Sequence, residues 1–387
     1  MAGPLLPYGR QTIEDDDIAA VAQALRGDFL TTGPLVDAFE AAFASQVGAR
    51  HAVACSNGTA ALHLAMLALE VQPGEVCIVP SITFLATANC ARYVGAEVVF
   101  ADVDPSTGLM TPDTLAEAIG RVGDRRLRAV LPVHLRGDTA ELPALAALAA
   151  EAGAVLVEDA PHALGSSMSF GDTAERVGDT RHSAMATFSF HPVKTIATGE
   201  GGMVTTNDDR LAQRLRTLRS HGMVKPQGAD PWIYEMPAPG FNYRLPDILC
   251  ALGLSQLAKL DRFAARRRAL AARYAEALKP LAPIVRPAAR PDWSDPVLHL
   301  MVALIDFAAA GKTRRQVVDE LRARGVGSQV HYIPVHTQPY YRDRYGPMDL
   351  PGAEEWYRTC LSLPLYPGMA DEDVDRVILA LSGVLGL

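Results

Sequence analysis

Apolar positions recur at two spacings along the chain, and the changes between them divide it into elements. Ile18, Val21 and Leu25 lie about one helical turn apart after Thr12, which suits an N-cap, and Glu14 to Asp17 put acids in the first turn. This predicts an amphipathic helix over 13–25. Thr31-Thr-Gly-Pro34 interrupts the pattern and residues 35–47 resume it. From His51 the chain reads as a short strand, a turn at Ser56-Asn-Gly-Thr59 and a helix to about Leu69. A strand over 76–79 is followed by a loop entering a helix at 80–89. Strand and helix then alternate over 96–103, 112–119, 128–134, 142–151 and 154–158. Continuous apolar strands in such alternation predict an α/β fold, a mainly parallel sheet with helices on both faces. Ligands bind beyond the carboxyl ends of the strands in that architecture.

Two further strands are predicted at 185–190 and 201–206, then a basic helix at 208–220 and a surface loop rich in Gly, Pro and aromatics at 221–239. A long helical region over 248–278 opens a second part with a different order: strand 298–307, helix 313–324, strand 327–332, a Pro- and Tyr-rich loop, a helix at 353–360 and a last helix from Asp371. The chain is accordingly divided into a large domain, 1–248, and a smaller C-terminal α+β domain, 249–387.

Composition narrows the class. Of 387 residues, 49% are hydrophobic and 21% charged, which suits a globular protein. A formal charge of -8 gives no general attraction for nucleic acid or an anionic membrane. The five cysteines form no C-x-x-C pair, so neither structural zinc nor a disulfide framework is expected, and no catalytic metal either. No run approaches the length of a bilayer span, and residues 1–8 lack the pattern of a secretory leader. The expected location is cytoplasmic.

The chemistry centres on Ser189-Phe-His-Pro-Val-Lys-Thr-Ile-Ala-Thr-Gly-Glu-Gly-Gly202. Lys194 sits on a short connection between two predicted buried strands, where loss of solvent lowers an amine pKa and makes it a nucleophile toward carbonyls. Gly58, before a helix, allows close backbone approach and leaves free N–H groups, as a phosphate cradle or as an ordinary capped helix. Asp159, just past a strand end, serves either as a site carboxylate or as a cap. A lysine nucleophile, a phosphate cradle, an aromatic-bearing loop and a strand-end aspartate are together the parts that a pyridoxal 5′-phosphate site requires.

With these residues in view, the sequence resembles the DegT/DnrJ/EryC1/StrS sugar aminotransferases, which have pyridoxal-phosphate fold type I. The resemblance spans nearly the whole chain. It rests on the lysine motif and on Ser56-Asn-Gly-Thr59, Thr83-Phe-Leu-Ala-Thr-Ala-Asn89, Glu158-Asp-Ala-Pro-His-Ala-Leu-Gly165 and Gly240-Phe-Asn-Tyr-Arg244. It implies Lys194 as the Schiff-base lysine, Asp159 as partner of the pyridine nitrogen and His162 as partner of the 3′-oxygen. It further implies Gly58, Thr59 and Ser189 as phosphate ligands, Phe84 stacked on the ring, and Asn242 reaching the phosphate from the other subunit of a homodimer.

A narrower likeness rests on Pro7-Tyr-Gly-Arg-Gln11, Leu30-Thr-Thr-Gly-Pro34, Arg219-Ser-His-Gly-Met223 and the run from Gln329 to Tyr341. These resemble the branch that aminates a UDP-linked 4-keto-6-deoxy-N-acetyl hexosamine on the route to pseudaminic acid, yielding UDP-4-amino-4,6-dideoxy-N-acetyl-β-L-altrosamine. The likeness implies L-glutamate as donor, 2-oxoglutarate as its product, and Tyr8, His331 and Tyr332 in the sugar-nucleotide pocket. Other readings are another nucleotide 4-keto-6-deoxy sugar of perosamine or bacillosamine type, or a non-catalytic cofactor-binding regulator. Relatives that are dehydratases carry histidine in place of the lysine, which Lys194 opposes. A generic nucleotide-binding reading of Gly199 to Gly202 lacks the G-x-G-x-x-G spacing. Pro161 and Leu135-Arg-Gly-Asp138 depart from the family pattern, the first bearing on the aim of His162 and the second on substrate detail, and neither touches the lysine or the acid.

Overall fold

The computed structural model describes residues 4–171 and 173–387. Met1 to Gly3, the start of the stretch read for a leader, lie outside them. Helices α1 (Asp15–Leu25) and α2 (Pro34–Val47) lead into β1 (His51–Cys55), α3 (Gly58–Ala68), β2 (Val76–Pro80) and α4 (Leu85–Tyr93). Next come β3 (Glu97–Ala101), α5 (Pro112–Gly120), β4 (Leu127–Val130), α6 (Leu142–Glu151) and β5 (Val155–Asp159). A hairpin of β6 (Ser167–Phe170) and β7 (Thr173–Arg176) precedes β8 (Met185–Ser189), β9 (Gly202–Thr206) and α7 (Asp209–Arg219).

Seven of these strands form one sheet in the order β1-β9-β8-β5-β4-β2-β3, parallel except for β9, which runs against both neighbours. Side chains alternate across a strand. Cys77 and Val79 of β2 enter one apolar cluster with α3 and α4, while Val76 and Ile78 enter the other with α5 and α6. This two-sided burial is why the strands read as unbroken apolar runs. Polar caps set the helix starts: Asn57 accepts from Ala60 N–H at the head of α3, and Thr111 from Thr114 N–H at the head of α5.

After α8 (Asp247–Leu257) and α9 (Leu260–Leu278), the chain adds β10 (Val285–Pro287), β11 (Ser294–Asp295), β12 (Met301–Ile305), α10 (Arg314–Ala323), α11 (Pro339–Tyr345), α12 (Pro351–Thr359), β13 (Cys360–Leu363) and α13 (Asp371–Leu385). Strands β10, β12 and β13 make a separate antiparallel sheet, whereas β11 joins the β6-β7 hairpin. Leu270, Tyr274 and Leu278 of α9 pack with α13 on the small sheet. Among the described residues no helix is long and apolar enough to cross a membrane.

Three local expectations are corrected. The helical region over 248–278 is two helices, broken at Ala258 and Lys259, where Lys259 Nζ turns in to Asp17 Oδ1 at 2.6 Å. Helix α1 is capped by Glu14 rather than Thr12, and it docks on α8 through buried Asp17 while Ile18 and Leu25 stay 60% and 55% exposed. No strand forms over 327–332: Val326 and Gln329 make single bridges, to Leu6 and Ser362, and Gln329 to Ile333 line a cavity.

Candidate active site

A cavity of about 1130 Å³ opens at the carboxyl ends of the parallel strands. Its floor follows from strand register. Cys55, Gly202 and Ser189 lie in one row across β1, β9 and β8, so the turn after β1 meets the end of β8. A Cβ on Gly58 would come 2.8 Å from Ser189 Cβ, and one on Gly202 would come 2.4 Å from the Asn57 carbonyl oxygen. Only glycine at both positions lets the head of α3 settle against Ser189. The first N–H groups of α3, on Gly58 and Thr59, have no intrahelical acceptor and line the cavity beside Ser189. They make a pocket for an anion with the positive end of the helix behind it.

Lys194 comes to the same end because β9 runs antiparallel. The connection from β8 must turn back at once, and it is closed by Phe190 N–H to Gly201 O at 2.8 Å, Thr198 N–H to Phe190 O at 2.9 Å and Lys194 N–H to His191 O at 2.8 Å. Asp159 ends β5, the neighbour of β8, with Thr187 as its register partner. Both side chains line the cavity and their charges interact. Burial lowers the Lys194 amine from 10.5 to about 8, with Asp159 opposing the shift. Burial also raises the Asp159 carboxyl, while a hydrogen bond from Thr87 Oγ1 to its Oδ2, at 2.5 Å, and the charge of Lys194 pull it down.

The far wall comes from the chain's later part. Tyr332 Oη lies 3.2 Å from His162 Nε2, and His162 Nδ1 accepts the Arg136 N–H at 3.4 Å. With Nδ1 an acceptor the imidazole is neutral and Nε2 donates to Tyr332, in keeping with a His162 pKa driven well below the usual range by burial. His299 packs on His162 with ring centroids 4.5 Å apart, and Tyr8 on His331 at 5.4 Å. His331 Nδ1 meets Ser362 Oγ at 2.7 Å. Phe84, 58% exposed at the head of α4, faces Tyr332 rather than the core. Arg136, one of the departures from the family pattern, is buried and paired with Asp138. Its backbone accepts His299 N–H at 2.6 Å as well as donating to His162, so its main chain holds the two histidines while the guanidinium turns to Asp138 and the Ala289 carbonyl, away from the cavity.

Tyr8, Gly58, Thr59, Phe84, Asp159, His162, Ser189, Lys194, His331 and Tyr332 thus share one cavity. Asn242 does not: it is exposed on the outer surface, bridged to Ser220. Sequence reasoning assigned no role to Thr87, which reaches Asp159 from α4, to Thr83, which precedes that helix and meets the Thr87 hydroxyl, or to His299. Their signal was the Thr83-to-Asn89 motif and a lone histidine at the head of an apolar strand. Among the described residues lining the cavity, Lys194 is the only lysine or arginine.

These residues fit pyridoxal phosphate. The cradle at Gly58 has room for a phosphate because no Cβ fills it, the amine is a nucleophile near neutral pH, and a buried carboxylate faces it across the cavity. The chain matches the DegT/DnrJ/EryC1/StrS aminotransferase family over residues 11–382. It is 39% identical to the spore coat polysaccharide biosynthesis protein SpsC of Bacillus subtilis, over 98% of this chain and 97% of that one. Among solved structures, PseC of Helicobacter pylori, an aminotransferase involved in the biosynthesis of pseudoaminic acid, superposes with a TM-score of 0.90 at 28% identity, covering 99% of each chain. Spr1654 of Streptococcus pneumoniae in its PLP form gives 0.88 at 26% identity, again over 99% of each chain. Fold, cavity chemistry and these similarities agree: the chain belongs to the DegT/DnrJ/EryC1/StrS family and is a pyridoxal-phosphate-dependent sugar aminotransferase.

Proposed function

We propose that the protein transfers the amino group of L-glutamate to a UDP-linked 4-keto-6-deoxy sugar, UDP-4-keto-6-deoxy-N-acetyl-β-L-altrosamine, toward pseudaminic acid-type amino sugars. The observation that carries this reading is the likeness to PseC along the whole chain, together with the Tyr8, His331 and Tyr332 wall facing Lys194 across one cavity. When bound, pyridoxal phosphate supplies an electron sink that makes the donor's Cα–H acidic. The amine of Lys194 takes that proton and later returns one to C4 of the sugar, so one base serves both halves of the exchange. Glutamate leaves as 2-oxoglutarate and the keto sugar leaves as the amine. Asp159 would hold a proton on the ring nitrogen, His162 would turn its Nε2–H from Tyr332 to the 3′-oxygen, and Phe84 would pack against the ring. Gly58, Thr59 and Ser189 hold the phosphate, with Asn242 supplied by a second copy.

A homodimer is supported on two grounds. Among the described residues the cavity lining offers no lysine or arginine besides Lys194, and large apolar side chains stay open to solvent: Ile18, Leu25, Phe29 and Leu30 near the N-terminus, Trp232 and Met236 on the loop over 221–239. The 39% identity to SpsC favours a second reading, another nucleotide-linked 4-keto-6-deoxy sugar. The test is to supply UDP- and dTDP-linked 4-keto-6-deoxy sugars with L-glutamate and identify which product gains an amine. Amination of a dTDP sugar alone would replace the first reading by the second, and no 2-oxoglutarate from L-glutamate with any of the sugars would leave a non-catalytic cofactor binder.

A further inference from the structure

Asp159 is 5% exposed and, among the described residues, has no ion-pair partner within salt-bridge distance. Its side chain receives one hydrogen bond from the protein, from Thr87 Oγ1 to Oδ2 at 2.5 Å. Thr87 is fully buried on α4, and its hydroxyl also lies 2.7 Å from Thr83 Oγ1, itself 2% exposed. A hydroxyl carries one proton. Thr87 Oγ1 also lies 3.1 Å from the Phe84 carbonyl oxygen, but the carboxylate oxygen at 2.5 Å is the nearer and the charged acceptor; with the proton spent there, the Thr83–Thr87 contact runs the other way, with Thr83 as donor. The two hydroxyls are therefore directed, Thr83 to Thr87 to Asp159.

We propose that Thr83 and Thr87 form a positioning relay that keeps Asp159 ionised and turned to the cavity, so that Thr87 governs how tightly the cofactor is held and at what pH its bound form titrates. This rests on the reading above, in which Asp159 faces the cofactor's ring nitrogen. Hydrogen bonds to the charged form of an acid favour that form, and in this site they oppose the cost of burial. The other groups facing Asp159 are Lys194, His134, Tyr332 and Cys90. Lys194 and His134 act on the carboxylate through their charges; the cofactor would engage Lys194, and His134 is held to Glu158, its Nε2 3.0 Å from Oε2. Among the described residues the hydroxyl relay is what hydrogen-bonds the carboxylate itself.

The test uses purified full-length protein titrated with pyridoxal phosphate and followed by its visible absorbance. Thr87→Val keeps the side-chain shape and removes the hydroxyl. It should raise the cofactor's dissociation constant about tenfold or more, the scale of a hydrogen bond to a charged group, and move the pH midpoint of the visible band. Thr87→Ser should restore both, and Thr83→Val should show a smaller change in the same direction. Wild-type affinity and midpoint in Thr87→Val overturn the relay, as does failure of Thr87→Ser to rescue, which would mean that packing alone matters. If Thr87→Val does not fold, Thr83→Val decides, an unchanged midpoint overturning the proposal. Absence of any visible band in the wild-type protein would instead overturn the cofactor reading on which the relay depends.

Discussion

Lys194 is a nucleophile only while its amine is neutral, and its surroundings set when that happens. With an amine near 8, the cofactor-free protein should combine with pyridoxal phosphate faster as pH rises through about 8 and level off above it, because the protonated fraction falls away. Stopped-flow absorbance over a range of roughly four pH units centred on that midpoint checks this. Lys194→Ala and Lys194→Arg should lose the visible band and cut turnover by a factor of about 10² to 10⁴ or more, the usual worth of a positioned acid–base group. Gly58→Ala tests the cradle: a methyl 2.8 Å from Ser189 Cβ must push α3 off its seat, so cofactor affinity should fall while a thermal melt of the cofactor-free protein changes less. Lys194, Asp159 and Gly58 were all legible as residues, since a lysine between two apolar runs and a glycine before a helix are local patterns. Thr87 was legible only as a member of the Thr83-to-Asn89 motif, because nothing local shows that a threonine inside a helix points to a carboxylate 72 positions away in sequence.

At the scale of elements, strand and helix order was readable but direction and docking were not. The reversal of β9 brings Lys194 to the strand ends that carry Asp159 and Ser189, and nothing in the apolar content of 202–206 distinguishes an antiparallel strand from a parallel one. Helix α1 shows the opposite failure. Its spacing of Ile18, Val21 and Leu25 marked the apolar side as the buried one, yet the contact with α8 is polar. Asp17 accepts from Ser255 Oγ at 2.6 Å, Gln256 Nε2 at 2.8 Å and Lys259 Nζ at 2.6 Å. Asp17→Ala leaves Lys259 with Asp16 Oδ1 at 2.7 Å but takes the shared acceptor from the Ser255 and Gln256 side chains, and should destabilise the fold by about 2 kcal/mol, read from denaturant midpoints. The pair lowers the Asp17 carboxyl, despite burial, and raises the Lys259 amine. Its contribution is therefore present above the ordinary Asp range and fades as acid titrates the carboxyl.

On the scale of the whole molecule, the site is assembled from distant parts. Leu6 N–H bonds Gly325 O at 2.9 Å, Gly327 N–H bonds Leu6 O at 2.8 Å and Leu365 N–H bonds Tyr8 O at 3.0 Å, so the N-terminal segment is tied to the later chain and Tyr8 is held beside His331. Asn242 lies on the outer surface. If one copy lends it to the other, Lys194→Ala and Asn242→Ala proteins, each poor alone, should regain about a quarter of wild-type activity when unfolded together and refolded as random dimers, because half the dimers hold one intact site. No recovery on mixing would show that each chain works with its own residues.

The alternation of apolar strands and helices, the nucleophilic lysine and the glycine cradle are local: each depends on neighbours within a few positions, and burial periodicity and backbone freedom record them directly in the order of residues. The direction of β9, the polar seat of α1, the hydroxyls behind Asp159 and the aromatic wall from residues 329–333 depend on contacts between segments far apart in sequence. Those contacts are selected by register and by which buried polar atoms find partners, and both are settled when the chain has closed on itself.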